Sequence, residues 1–340
     1  MADAPPTMQA LQVSDLLGDY AGVALREVET PAPGPGEVQV QVLASAVGFP
    51  DLLMTEGKYQ HKPDLPFILG GEMAGLVTAI GDGVTWPTPG TAVVGGGLGS
   101  FAGYGLYRAE GLRPLPAGLE FARAAATASA YLTAYVSLVR RAALQPGEWL
   151  LVHGAAGGVG LAAVDLGRHL GARVIAAASS EEKLATIQAE YAPDATVLSR
   201  PGFRNEVKAI TGGGADVIYD PVGGDVFDES IRCIAFDGRL LVVGFASGRI
   251  PNVPANMPLI KGFSVVGVRA GEYGRRFPLK GKENLDAVWR LVADGAVRPR
   301  VHGIFALEDW RDAFAEIERR RTVGRVILAP HGVEAALARA

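Results

Sequence analysis

Two different periods of apolar and polar residues run along this chain, and the change from one to the other divides it. After the turn-rich segment PAPGPGE at residues 31–37, Val38, Val40 and Val42 alternate with Gln39 and Gln41. Period two predicts a half-buried strand. Short apolar runs at 76–80 and 91–94 predict further strands, so residues 1–124 read as a mostly β region. The texture then changes. A helix-like stretch at 121–142 precedes the turn Gln145-Pro146-Gly147-Glu148, a strand at 149–153, a glycine turn and a helix at 159–170 closed by Gly171. A strand at 173–178 and a helix at 180–191 follow, then strands at 217–219, 240–243 and 265–268. Strands alternating with helices predict a parallel, doubly wound sheet. Beyond 268 the alternation breaks into a helix (282–294), a strand (300–305), a helix (307–320) and a last strand (324–328).

Composition narrows the class. A chain of 340 residues with 49% hydrophobic content can bury a large core and by length holds two domains. Its formal net charge of −4 argues against a nucleic-acid partner, which needs a basic surface. The most apolar long stretch, 124–139, is interrupted by Thr127, Ser129, Thr133 and Ser137 and reads as a buried helix, not a membrane span. The N-terminus MADAPPTMQA shows no basic region followed by an apolar one, so no signal peptide is expected. The single cysteine, Cys233, permits no intrachain disulfide and reads as a small buried residue. A cytoplasmic location is the expectation.

The richest chemistry lies in the run from Leu150 to Gly160. An apolar strand ends in small residues and a helix starts at once. Missing side chains let a backbone approach a pyrophosphate, and a helix N-terminus offers N–H groups and a positive dipole end. The pattern is Ala155-x-Gly157-x-x-Gly160, with alanine where the strict fingerprint has glycine; Ala156, Gly158 and Val159 fill the turn. A tight strand–helix turn without a ligand has the same local sequence. The second strand ends Ala178-Ser179-Ser180, without the acidic residue that holds the ribose hydroxyls in NAD sites. Ser179, Ser180 and Lys183 point instead to the extra phosphate of NADPH. Ser179-x-x-Glu182 also fits a capping box, and Lys183 a solvated helix position.

The block from Phe67 to Val84 (FILGGEMAGLVTAIGDGV) resembles the Gly-x-Glu signature of medium-chain dehydrogenases/reductases. The run Ala155 to Gly160 is similar to the cofactor turn of their zinc-free quinone oxidoreductase (zeta-crystallin-like) branch. YDPVGG at 219–224, GRLLVVG at 238–244 and GRVIL at 324–328 match later landmarks in the right order. The resemblance implies an α/β chain. A GroES-like β domain formed by 1–124 together with 269–340 would accompany a Rossmann NADPH-binding domain, a doubly wound parallel sheet, over 125–268. It also implies that Thr133, Val222, Gly244, Phe245 and Ser247 flank the cofactor, that Arg325 reaches its phosphates, and that Gly48, Phe49, Leu53 and Tyr59 form the substrate wall. A homodimer joined near 262–268 is a further implication.

Zinc-dependent members carry a cysteine three residues before an aspartate like Asp51, and a histidine before the glutamate of the signature. Here those positions are Gly48 and Gly71. His61, His153, His169, His302 and His331 lack ligand spacing, so no metal is expected. Relatives carry asparagine at the Gly48 position, where it bonds the substrate oxygen; its absence implies a more open, apolar pocket. Tyr59 is the catalytic candidate, able to orient a quinone oxygen or assist protonation, with a packed tyrosine as the alternative. Asp51 reads as structural. The expected activity is NADPH-dependent hydride transfer to a quinone. Reduction of enones, 2-haloacrylates or enoyl thioesters uses the same step, and a CoA handle would call on Lys58, Lys62, Arg275 and Arg276. A non-catalytic NADPH-binding protein is the reading from another class.

Overall fold

A computed structural model describes residues 4–340, and it divides into two compact units. The first comprises the chain up to Ala128 together with Pro299–Ala340; the second is Ser129–Arg298.

The main sheet of the first unit runs, in order, Val301–Ala306, Arg325–Ala329, Glu37–Val47, Glu72–Ile80, Ala92–Gly96 and Arg113–Pro114, with Tyr104–Arg108 also paired to Glu37–Val47. Arg325–Ala329 lies antiparallel to Glu37–Val47 in the register Val326 opposite Val47 and Leu328 opposite Ser45. A smaller sheet pairs Val23–Glu29, Thr7–Val13 and Phe67–Ile68. The alternating strand at Val38–Val42 is more deeply buried than its pattern predicts, because its polar side is also covered. Gln39, only 6% exposed, donates to the Pro31 carbonyl at 2.7 Å and accepts from the Thr78 hydroxyl at 2.7 Å. Buried amides are tolerated when satisfied in this way. The apolar centre is aromatic: Phe314 lies edge-on to Tyr20 at 5.3 Å and to Trp310 at 5.4 Å between ring centroids.

The second unit carries a six-stranded parallel sheet in the order Ala195–Leu198, Arg173–Ala178, Trp149–Val152, Ala215–Asp220, Ile234–Val242, Ser264–Gly267. The helix-like stretch 121–142 resolves into Phe121–Ala125, Ala128–Tyr135 and a π-helical turn at Val136–Arg141. Strand order reverses between Trp149–Val152 and Ala215–Asp220, the switch point at which open α/β sheets bind ligands.

One domain boundary differs from the sequence reading. Residues 269–298 belong with the parallel sheet and not with the chain ends. The helix Pro278–Ala293 buries Val288, Trp289 and Val292, and its fully buried Asn284 accepts from the Arg140 guanidinium at 2.7 Å. The Asp165 carboxylate takes the Arg298 N–H at 2.6 Å and the Tyr131 hydroxyl at 2.7 Å. Such side-chain bonds across long loops leave no periodic trace. Among the described residues no helix is long and apolar enough to cross a membrane.

Phe314→Ala removes a fully buried ring. It should lower the stability of the first unit by about 3–5 kcal/mol, read as a shift of its denaturant midpoint.

Candidate functional site

The cofactor turn is built by close backbone approach. Strand Trp149–Val152 is wholly buried and ends in His153, whose N–H donates to the Tyr219 carbonyl. Gly154 then takes φ +57°, a left-handed conformation that favours glycine. The helix Gly158–His169 starts immediately, with Gly157 as its N-cap. A Cβ on Gly160 would lie 2.2 Å from the Gly154 carbonyl oxygen, so only glycine permits this helix to start so close to the turn. A Cβ on Gly157 would meet only that same oxygen, at 3.4 Å. Ala155, standing for the first glycine of the fingerprint, is fully buried and donates its N–H to the Ala177 carbonyl. Ala156 is buried too, whereas Gly158 and Val159 are half-buried and open the first helical turn, where N–H groups lack intrahelical partners.

At the end of strand Arg173–Ala178, Ser179, Ser180 and Lys183 come together. The Lys183 ammonium donates to the Ser179 hydroxyl at 3.1 Å. The helix cap is Ser180, one residue later than the Ser179 of the expected capping box, and it accepts the Lys183 N–H at 3.4 Å.

Beyond the next two strands, two loops are sewn together. Ala246 and Ser247 donate their N–H groups to the carbonyls of Pro221 and Val222. Beneath them the buried Asp220 accepts the N–H groups of Val222 at 2.8 Å and Gly223 at 2.9 Å. Burial pushes its carboxyl up to about 6 against those two bonds. Val222 and Gly244 are half-buried, while Phe245 and Ser247 are exposed. Thr133 is half-buried in helix Ala128–Tyr135. His153 is fully buried beside Ser230, 2.8 Å away, and desolvation drives it down to about 3, which makes it a neutral core residue.

The residues expected to form a substrate wall lie in the first unit. Gly48 caps the helix Phe49–Thr55, and its N–H donates to the Asp51 carboxylate at 2.7 Å. Phe49 is exposed and Leu53 half-buried. Tyr59 packs against the aromatic core cluster. Arg325 is neither in solvent nor on a sheet edge: its strand is an inner one, and its guanidinium pairs with Glu72 at 3.4 Å, with side chains only 12% and 14% exposed. Asp51, 5% exposed, joins this cluster. Burial holds its carboxyl up at about 7; the Gly48 N–H and Arg325 pull it back, and Glu72 pushes it up further. The sequence reading missed this cluster, although Glu72 of the Gly-x-Glu signature marked one member.

A zinc ion does not fit these donors. Gly48 and Gly71 supply no ligand atom, and Arg325 Nη1 would lie 3.7 Å from a Cβ on Gly48, a cation where a metal ligand would stand. Among the described residues no group of three or more His, Cys, Asp or Glu side chains is placed to hold a metal.

Comparison with known proteins follows the same two units. Residues 34–117 match the alcohol dehydrogenase GroES-like domain, and 158–293 match the zinc-binding dehydrogenase family model. A quinone oxidoreductase-like protein 2 homolog from Nematostella vectensis is 40% identical over 293 residues, covering 84% of this chain and 80% of that protein. A mycobacterial protein solved in complex with NADPH is 29% identical with a TM-score of 0.87, covering 95% of this chain and all of that one. The chain is also 36% identical over 298 residues to a segment making up 8% of a pikromycin polyketide synthase component from Streptomyces venezuelae, 86% of this chain being covered.

Gly160→Ala forces the helix start away from the turn. Its NADPH affinity, titrated by fluorescence, should fall by at least about tenfold, or ~1.4 kcal/mol.

Proposed function

Because this chain belongs to the medium-chain dehydrogenase/reductase superfamily, in its quinone oxidoreductase-like branch, we propose that it is an NADPH-dependent, metal-independent reductase of quinones. The observation that carries the reading is the pairing of an open helix N-terminus at Gly157–Gly160 with a strand end bearing Ser179, Ser180 and Lys183 in place of an acid. The first attracts a pyrophosphate, and the second accepts a 2′-phosphate that a carboxylate would repel. When bound, NADPH supplies a hydride. Asp220 fixes the backbone of Val222 and Gly223, and the linked loop of Gly244, Phe245 and Ser247 borders the ring face. Gly48, Phe49, Leu53 and Tyr59 offer a wall with few polar groups. An electron-poor quinone needs no Lewis acid, only stacking and exclusion of water.

The likeness to a polyketide synthase segment favours a second reading, reduction of a C=C bond conjugated to a carbonyl or thioester. The hydride step is the same, and the acceptor differs.

Purified protein with a chelator should oxidise NADPH faster than NADH with an ortho-quinone or a naphthoquinone. Turnover with only an enone or enoyl-CoA moves the assignment to C=C reduction. Tight NADPH binding with no turnover on any acceptor supports a non-catalytic role. Loss of activity on chelation overturns metal independence.

A homodimer is part of the proposal. Strand Ser264–Gly267 ends the parallel sheet with one edge unpaired among the described residues, and Leu259 (83% exposed) and Ile260 (69%) stand in the helix just before it. Unpaired edges beside apolar patches invite pairing with a second copy. Light scattering should give twice the chain mass, and Leu259→Glu with Ile260→Glu should give a monomer.

A further inference from the structure

We propose that the second unit carries a binding site for a small aromatic phosphate ester at the sheet edge opposite the cofactor turn. Lys208 and Lys261 hold the phosphate, and Phe236 receives the ring. The proposal does not depend on the reductase reading.

The site is a cleft of about 540 Å³ lined wholly by residues of the second unit. Trp149, the first residue of its strand, forms part of the wall, whereas the cofactor turn follows the last. At 3.3 Å per residue the two ends lie about 13 Å apart. The cleft is built by a break in the sheet. Ala215 lies opposite Ile234, but Val217 lies opposite Arg239, so strand Ile234–Val242 bulges at its start. Within the bulge Asp237 takes φ +62°, and its N–H donates to the Gly262 carbonyl at 2.7 Å. Bulges re-aim side chains. Here Phe236 is left 82% exposed, with one side against Gly262, where a Cβ would lie 2.4 Å from its ring. Gly214 seats the neighbouring loop tightly on this strand, because a Cβ there would lie 2.6 Å from the Ile234 carbonyl carbon.

The charges in the cleft are unbalanced. Lys208 and Lys261 line it from two helices, Phe203–Thr211 and Asn256–Lys261. Among the described residues no carboxylate pairs with either, and the Lys261 ammonium donates to the Ile231 carbonyl at 3.0 Å. Burial, then the charges of Lys208 and Arg232, pull that ammonium below its ordinary value. An anion between the lysines removes this repulsion. The carboxylate in the lining, Asp216, already accepts the Trp149 N–H at 2.7 Å. A phosphate monoester carries nearly two negative charges at neutral pH and so matches two ammonium groups, where a carboxylate matches one. An open aromatic face beside them suits a flat ring. Leu259 and Ile260, the residues proposed to meet a second copy, are not in the lining.

The alternative is an exposed ring and two solvated lysines that share a hollow. Calorimetric titration of the NADPH-saturated protein, whose cofactor site is filled, separates the two. Phenyl phosphate, inorganic phosphate and benzoate would be compared at low ionic strength, and phenyl phosphate should bind tightest. Lys208→Gln and Lys261→Gln should each weaken it at least about tenfold. Should Lys261→Gln fail to fold, Lys208→Gln decides, since Lys208 is exposed. Phe236→Ala should weaken phenyl phosphate about tenfold and leave inorganic phosphate unchanged. In trace acetylation read by peptide mass, phenyl phosphate should shield Lys208 and Lys261 but not Lys280, which is exposed elsewhere on the unit. Absence of binding, binding that Lys208→Gln does not weaken, benzoate tighter than phenyl phosphate, or a Phe236→Ala protein that binds phenyl phosphate as before would each overturn the proposal. So would a lysine pair already unreactive before any ligand is added, because the cleft is then covered. No arm reads turnover, so a protein that reduces no acceptor fails the reductase reading and leaves this site standing.

Discussion

The contact between the Gly154 carbonyl and the start of the following helix governs the nucleotide-binding half of this protein. The helix begins at Gly158, directly after the turn, so its first N–H groups stand at the C-terminal edge of the parallel sheet, next to the strand reversal. That placement needs a left-handed Gly154 and no side chain at Gly160. The rest follows from it: the buried central strand, the alanine-rich second strand that lets Ala155 reach across to Ala177, and the serine-capped helix that carries Lys183. Large side chains in any of these places would push the layers apart and move the positive end of the helix away from the sheet edge.

The first unit solves a different problem, that of keeping charge inside. Glu72 and Arg325 come from strands far apart in the chain and meet with little solvent around them. A buried ion pair adds little stability by itself, because desolvation offsets its attraction. Its effect here is local: it places a cation and an anion beside Asp51 whose influences oppose one another. Burial then outweighs the Gly48 N–H, and the carboxyl's affinity for a proton rises far above that of a surface aspartate.

Much of this was legible along the chain. Alternation of strands and helices announces the parallel sheet, and the small-residue turn after Val152 announces its ligand edge. What escaped was what periodicity does not encode. Residues 269–298 look like an irregular tail, yet Asn284, Trp289 and Arg298 bind them to the second unit through contacts over long loops. Arg325 looks like a strand-end residue, and nothing along the chain shows that its guanidinium meets the Glu72 carboxylate with little exposure. Asp51 looks like an ordinary helix-start acid, since a sequence does not display desolvation. Gln39 shows the converse, a polar position in an alternating strand that tertiary cover turns inward.

The insertion of Arg325–Ala329 between Val301–Ala306 and Glu37–Val47 has a consequence for synthesis on the ribosome. The long strand at 37–47 emerges early, but one of its neighbours is made almost three hundred residues later. Tyr104–Arg108 covers the first half of that strand early, but residues 45–47 keep unpaired backbone groups until the last strand arrives. The parallel-sheet unit, in contrast, is continuous in sequence and can close as soon as Arg298 leaves the tunnel. The half that binds nucleotide is thus positioned to form first, and the half holding Asp51 must wait for the last strand to arrive.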